Sequence, residues 1–597
     1  MPKERPEKPT PPPAPPLAPP GTLTLVSPAP HTPPTSCGKP PLPSVLRAAK
    51  RRRVDVADAP PCDPGESAAS ASAPCQGELQ IAQPTAPAPH SCAPPRLFND
   101  GVHGHIEMDP LCVAVIDTPQ FQRLRQLKQL GVGYLVFPSA CHNRFEHSIG
   151  TSHLAGRVAE RLRSLQPELG ITATDVLCLQ LAGLCHDLGH GPFSHTFELH
   201  VNEQRPVGAR AWSHEEASTA MFDHLVTQNG LLDRFAARGL GDTDRLFIKE
   251  LMVGVPPDAW AEPATAPRGR PSAKSFLYEI VANKRNGVDV DKWDYFCRDS
   301  MHLNIKASFD HERYLLSVRV LEGPDGLRQI CPRDKEVESV YSLWSTRSRL
   351  HRTAYQHKTS KVLERMLLEI LRAAEPHLLI PGAAGKLFTM SAAVADMKAY
   401  SKLTDAVLSL IAVSTDPGLA VARRLLDDLQ CRRLYKFVGK AQPGDSGTAA
   451  RLVRSELPMI QREIAACAAL SSRPIDPADI ALDLIKITHG PGRDDPIRNL
   501  RFWSKDDPGR TFQISPKEVS HMLPAHSVEH RLCVYSKRRD RWSKPALTEA
   551  FGQWCDRNDF EFQASPLEPA RAPSPTAPVT AARSASQRHA IPFDPDL

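Results

Sequence analysis

Val176, Leu177, Leu179, Leu181, Ala182, Leu184 and Cys185 leave almost no polar side, which predicts a helix at the centre of a core. Asp175 stands at its start, where a carboxylate can accept from free backbone N–H groups. Arg144-Phe145-Glu146-His147-Ser148 opens a second, amphipathic helix, and 360–374 and 398–414 also carry helical spacing. Short apolar runs at 134–137, 327–331, 378–381 and 532–535 predict strands. Residues 256–273 read as a Pro/Ala loop and 442–449 as a polar break, beyond which helices mix with short strands. The expected fold class is mainly α, with a helical core and a smaller C-terminal α+β lobe. No internal repeat is present.

Composition changes this picture at the two ends. Of 59 prolines, 26 fall within residues 1–95, and the first aromatic residue is Phe98. Such a stretch buries too little apolar surface to offset its ordering entropy, so 1–95 is expected to be a disordered, partly polyproline-like arm. The tail 565–597 has the same character, which leaves 96–440 as the helical domain and 441–564 as the smaller lobe. Within the arm, Lys50-Arg51-Arg52-Arg53-Val54 is a candidate nuclear import signal, so a nuclear location is expected, with the cytoplasm as a further site. A net charge of +6 sets up no global polybasic field. No run approaches the ~20 apolar residues of a membrane span, and the proline-rich start does not resemble a secretory signal. Fourteen cysteines without a CxxC pair favour free thiols over a disulfide framework.

The candidate chemistry lies at the end of the buried helix. His186 and Asp187 are followed by Leu188-Gly189-His190-Gly191-Pro192. Adjacent residues within a regular helix point about 100° apart, but at a terminus broken by Gly and Pro both can turn to one point. Imidazole and carboxylate together suit a divalent transition metal. Alone, the pair reads equally well as polar residues at a helix end. His147, and the cluster Asp289, Asp291 and Asp294, supply further ligands, and the order His, His-Asp, distant Asp is that of the HD phosphohydrolases.

The segments QFQRLRQLKQLG (120–131), CHNRFEHSIG (141–150), LCHDLGHGPFSH (184–195), SFLYEIVANKRNGVDVDKWDYFCRD (275–299) and LHRTAYQHK (350–358) carry the likeness further. Over residues 96–560 the chain resembles the vertebrate SAM- and HD-domain-containing deoxynucleoside triphosphate triphosphohydrolases. That resemblance implies hydrolysis of a dNTP to deoxynucleoside and inorganic triphosphate by an allosterically assembled homotetramer, limiting dNTP supply and restricting viral DNA synthesis. It implies metal ligation (Zn, Fe or Mn) by His147, His186, Asp187 and Asp291, with Mg accompanying the nucleotides. His190, Glu198 and His214 fall on catalytic positions, His214 as general acid for the departing 5′ oxygen. Arg144, His195, Lys292, Tyr295, Arg347 and His351 match phosphate-side positions. Gln129 and Asp299 match 3′-hydroxyl contacts, and Leu130, Tyr355 and Gln356 line the sugar pocket, where Tyr355 would exclude a ribose 2′-hydroxyl.

The same resemblance maps a guanine-specific GTP activator site onto Arg96, Asp117, Gln122 and Arg125, with Arg432 and Lys436 from a second subunit. A carboxylate at Asp117 accepts the guanine N1–H and N2–H pair that adenine lacks. A dNTP activator site maps onto Leu97, Asn99, Val136, Arg313, Arg333, Lys335, His357 and Lys358. The chain departs from the family pattern in several places. The N-terminal SAM domain is expected to be absent, Glu198 replaces an Asp, and Arg96 replaces a Lys. Ser339, Thr353 and Pro516 replace an Asn, an Arg and a Lys near the activator pocket, and Ser565-Pro566 and Ser574-Pro575 are candidate phosphorylation sites. Two rival readings remain: an HD phosphodiesterase or nuclease, and an impaired scaffold binding single-stranded RNA or DNA through Lys537-Arg538-Arg539-Asp540-Arg541-Trp542.

Overall fold

The computed structural model describes residues 94–565, except 207, 445–451, 470–473, 489–494, 522 and 524–525. The proline-rich arm to residue 93, its Lys50–Val54 cluster and the tail beyond Ser565 lie outside the described residues.

The body is mainly α-helical, and local chemistry sets the ends of the helices that matter. Arg144–Leu165 starts where the Asn143 backbone N–H donates to the Glu146 carboxylate, 2.7 Å away. Ala173–Cys185 starts with reciprocal bonds between Thr172 and Asp175 (2.9 and 3.1 Å) and ends with His186 as its cap. Leu177, Leu179, Leu181 and Leu184 of this helix are at most 6% exposed, so each contributes about 2 kcal/mol by burial. Val290–Leu303 is capped by Asp289, which accepts from the Lys292 N–H. Lys358–Ala374 buries one stripe through Val362, Leu363, Met366, Leu367, Ile370 and Leu371.

Strands are short and antiparallel. β1 (Arg96–Asp100) pairs with β2 (Gly104–Met108), β3 (Arg319–Glu322) with β4 (Arg328–Cys331), and β5 (Ile380–Pro381) with β6 (Leu387–Phe388). β7 (Lys436–Pro443), β8 (Ile480–Thr488), β9 (Val528–Ser536) and β10 (Phe560–Ala564) form one sheet in the order β10-β7-β9-β8. Period-two alternation divides this sheet between two cores. Ala481, Ile485, Ile487, Cys533 and Tyr535 join the core of the helical body. Val438, Ile480, Leu482, Leu532 and Val534 face a second core with helices Leu457–Ala469 and Ser543–Asn558.

Several expectations are corrected. Residues 134–137 do not form a strand, because a 3-10 helix, Gly131–Leu135, closes its bonds locally (Gly133 N–H to Leu130 O, 2.8 Å). Of 378–381, only Ile380–Pro381 is strand. The helix expected over 398–414 breaks into Met397–Tyr400 and Val407–Val413. Tertiary bonds win there: Asp405 accepts from the backbone N–H groups of Lys128 (2.9 Å) and Phe193 (2.6 Å), and Leu403 O accepts from Arg123 Nε (2.8 Å). The supposed break at 442–449 begins inside β7, whose Gln442 and Pro443 pair with β10, so β7 also crosses the expected 440/441 boundary. Every described cysteine is free, and among the described residues no helix is long and apolar enough to cross a membrane.

Candidate active site

Three helix ends meet at one point. The first turn of Arg144–Leu165 supplies His147, the end of Ala173–Cys185 supplies His186 and Asp187, and the first turn of Val290–Leu303 supplies Asp291. His147 Nε2 lies 3.2 Å from Asp291 Oδ1 and 3.6 Å from Asp187 Oδ2. His186 Nε2 lies 3.4 Å from Asp187 Oδ1 and 3.5 Å from Asp291 Oδ1. Each imidazole is oriented from behind: His147 Nδ1–H donates to Asp294 (2.6 Å) and His186 Nδ1–H to Gly183 O (2.8 Å), which turns both Nε2 atoms to the common point. His186 Nε2 is buried and has no hydrogen-bond partner. Two imidazole nitrogens and two carboxylates fit a divalent transition metal, and ligand atoms of His147, His186 and Asp187 all lie within 4.8 Å of one another. Burial would raise the Asp187 carboxyl, but Arg144, His186 and His190 hold it well below the usual carboxylate range. Burial would likewise lower His147, yet its bonds to Asp291 and Asp294 push it up to about 10. Binding of a cation would therefore displace a proton.

A histidine group adjoins this cluster. His190 Nε2 is 3.3 Å from Asp187 Oδ1, and its ring stacks on His214 with centroids 3.8 Å apart. Burial, Arg144 and His214 hold His190 well below its ordinary value, so it is neutral. His214 Nδ1 lies 2.7 Å from Glu198 Oε2, and His195 Nδ1 lies 3.8 Å from the same oxygen. Against burial, bonds from His195 and His214 bring Glu198 down to about 2. As a carboxylate it can only accept, so His214 Nδ1 carries a proton and Nε2 faces the remaining chemistry. The segment 189–194 packs tightly beneath: a Cβ on Gly189 would lie 2.1 Å from His214 O. Phe193 and Ser194 adopt φ of 56° and 58°, strained for side-chain-bearing residues. Asp405 bonds the Phe193 N–H, and Arg144 Nε reaches Ser194 Oγ at 2.9 Å.

Cations and sugar-side groups flank the cluster. Arg144 Nη1 pairs with Asp187 at 2.5 Å, Lys292 Nζ with Asp289 at 2.8 Å, and Arg347 Nη1 meets the Tyr295 hydroxyl at 3.3 Å. Asp299 accepts from the Tyr355 hydroxyl and from His142 Nε2 (2.5 and 2.7 Å). His351 and Tyr355 sit on a π-helical turn, His351–Tyr355, that prolongs the helix Val337–Leu350 and ends before the extended cap His357; such turns recur at functional sites. Their rings meet edge-on at 5.0 Å. Burial, Arg347 and His195 lower His351 to about 3. Gln129 Oε1, Gln356 Oε1 and His351 Nδ1 are buried without partners, and Leu130 packs at the core's edge.

The HD domain family matches residues 144–237, the stretch that holds His147, His186, Asp187, His190, Glu198 and His214. The chain is 47% identical over 473 residues to a Danio rerio protein named deoxynucleoside triphosphate triphosphohydrolase SAMHD1, covering 78% of this chain and 75% of that one. Its Homo sapiens counterpart is 45% identical over 469 residues (78% and 74%), and a Dictyostelium discoideum homolog of SAMHD1 is 35% identical over 447 (75% and 78%). The chain belongs to the SAMHD1 family.

The residues matched to SAMHD1 activator sites are distributed differently. Arg96 and Asp117 form a bidentate pair (2.7 Å for both bonds) with each side chain about half exposed. Arg125 donates to Gln122 (2.8 Å) and lies 3.5 Å over the Phe145 ring. Arg432 reaches Leu135 O at 3.0 Å, and Lys436 is exposed at the start of β7. Leu97 is exposed, Asn99 Oδ1 accepts from His105 Nδ1, and His357, next to Lys358, packs near Phe137 beside Val136. Arg313 pairs with Glu336, Arg333 lies over Trp503, and Lys335 lies between them in the 3-10 turn Asp334–Glu336. The basic run is largely engaged: Lys537 pairs with Glu369, Arg538 with Asp540, Arg539 with Asp428, and Arg541 stacks on Trp542.

Three residues of the SAMHD1-like site, His142, Ser194 and Asp405, went unnoticed in the sequence, and Asp294 was singled out only as one of an acidic cluster. His142, Ser194 and Asp294 lie inside the matched motifs and were legible as candidates; Asp405 carries no local signal.

Proposed function

We propose that this chain hydrolyses dNTPs to deoxynucleoside and intact inorganic triphosphate in a metal-dependent reaction. The observation that carries the reading is His190, whose ring stacks on His214 while its Nε2 touches Asp187, joining the acid–base pair and the metal-type cluster in one site. The names of the relatives, matched over about three quarters of both chains, support the substrate class.

His147, His186, Asp187 and Asp291 would hold the cation. That cation supplies Lewis-acid polarisation of the phosphoryl oxygen and a more acidic water. The protein's own groups do the rest. Arg144, Lys292 and Arg347 balance the triphosphate, the two arginines by forked contacts and the lysine as a point charge. The departing 5′ oxygen is a poor leaving group until protonated. His214, held at Nδ1 by Glu198, delivers that proton from Nε2, while neutral His190 keeps its ring in place. Asp299, aligned by His142 and Tyr355, takes the 3′-hydroxyl, and the Tyr355 ring closes the space of a 2′-hydroxyl. Glu198, which stands where the family resemblance expects an Asp, reaches His214 at 2.7 Å with its extra methylene.

Activation by GTP or dGTP at Arg96, Asp117, Gln122 and Arg125, completed by Arg432 and Lys436 of a second copy, and by a dNTP at the second set, belongs to the same reading. Completion of such sites by a second copy would assemble a homotetramer, and nucleotide would favour it by mass action. The enzyme would lower dNTP pools and restrict viral DNA synthesis, with the Lys50–Val54 cluster directing it to the nucleus.

Product analysis tests the proposal. Purified protein given GTP, a dNTP and Mn²⁺ should release deoxynucleoside and triphosphate; monophosphate with pyrophosphate, or no turnover despite tetramer formation, overturns it.

A further inference from the structure

Behind the metal-type cluster lies a closed polar network that ends on the β1–β2 hairpin. Asp294 accepts from His147 Nδ1 (2.6 Å), His103 Nε2 (2.7 Å), and Arg298 Nε and Nη2 (2.9 and 2.7 Å). Arg298 Nη1 donates onward to Asp100 Oδ2 at 2.9 Å. Asp100 Oδ1 accepts from the backbone N–H groups of Val102 and His103, each at 2.8 Å, which shapes the hairpin turn. The side chains of His103, His147, Asp294, Arg298 and Asp100 are all at most 5% exposed.

Taking such ions out of water costs several kcal/mol each, so a network of this kind holds only when its partners are met and well aligned. The neighbouring helix makes room for it. A Cβ at Gly150 would lie 1.9 Å from Asp294 Oδ1 and 2.5 Å from Arg298 Nη2, so only glycine lets the pair approach. Asp294 decides which nitrogen of His147 faces the cluster, because its bond to Nδ1 leaves Nε2 directed at Asp187 and Asp291. Two of its remaining partners, His103 directly and Asp100 through Arg298, belong to the hairpin rather than to the helices that carry the ligands.

We infer that the hairpin of residues 96–108 is a positioning arm of the metal centre: Asp100 and His103 hold Asp294, and Asp294 holds His147. The inference rests on the metal reading of His147, His186, Asp187 and Asp291. The arm's outer strand also carries Arg96, Leu97 and Asn99, so the residues assigned to nucleotide activators and those bracing His147 share one ribbon.

The test compares the full-length wild type, His103→Leu and His103→Gln for Mn²⁺ binding by calorimetry, with circular dichroism to confirm the fold. Leu leaves Asp294 one donor short, whereas Gln keeps an N–H. Expected are 10- to 100-fold weaker Mn²⁺ binding in His103→Leu, partial recovery in His103→Gln, and restoration of His103→Leu turnover by excess Mn²⁺. Should His103→Leu fail to fold, Asp100→Asn is measured instead, with several-fold weaker binding expected. Mn²⁺ affinity equal to the wild type in the folded variant overturns the arm. A wild type that binds no divalent ion overturns the metal reading beneath it, so the two failures are distinct.

Discussion

The cleft and the surface proposed for the activator both pair arginine with aspartate, in opposite surroundings. Arg144–Asp187 has side chains only 5% and 7% exposed, whereas those of Arg96–Asp117 are 49% and 47% exposed. The buried pair is fixed by neighbours on three helices and a loop. The exposed pair is screened by water, worth about 0–1 kcal/mol, and easily exchanged for another partner. On the proposed reading, a nucleotide arriving at Asp117 would displace a cheap contact, while a substrate arriving at the cleft would meet groups already set. The cleft's groups are thus gathered within one chain, whereas the regulatory sites proposed above would need a second copy to complete them.

The sharpest way to break this contrast is Asp187→Asn, which keeps an acceptor for Arg144. Turnover should fall by at least about 10³-fold and bound metal, measured by mass spectrometry, should be lost. If activity survives, the cleft is not the reaction centre. Next in size, His214→Gln should lower kcat by about 10²- to 10⁴-fold with metal content unchanged. An equal loss of metal would make His214 a ligand rather than an acid.

On the other side, Asp117→Ala should raise the GTP concentration for half-activation by about tenfold, as loss of about 1.4 kcal/mol of binding would. Sedimentation with graded GTP checks this, and an unchanged curve would remove Asp117 from the activator site. The smallest effect concerns acid stability. Glu198 titrates near 2, below its ordinary 4.5, so its stabilising contribution is present above pH 4.5 and lost as pH falls toward 2. Urea midpoints of the wild type should drop over that window, and Glu198→Gln should flatten the drop.

Much of the cleft was legible because its residues sit inside long motifs with local consequences. The apolar run 176–185 announced a buried helix, and the Gly and Pro after His186 announced where it ends. What stayed hidden depends on partners far along the chain. Asp405 interrupts an apparently helical stretch because its acceptors are used by Lys128 and Phe193, and no window of neighbouring residues contains that information. The π-turn at 351–355 is equally invisible, since nothing in its five residues distinguishes i→i+5 from i→i+4 bonding. Residues 134–137 misled for the reverse reason: a short apolar run fits a strand or a tight turn, and only a pairing partner distinguishes them.

The clamp from Asp405 onto the left-handed turn at Phe193 and Ser194 bears on how portable this catalytic unit is. The stretch 144–237 carries the recognisable signature, yet the carboxylate that steadies its most contorted backbone lies far outside it. A fragment trimmed to the signature would keep His147, His186 and Asp187 but lose Asp291 and release the floor of the site. Grafting, truncation and chimera work on this scaffold must therefore carry the downstream segment along.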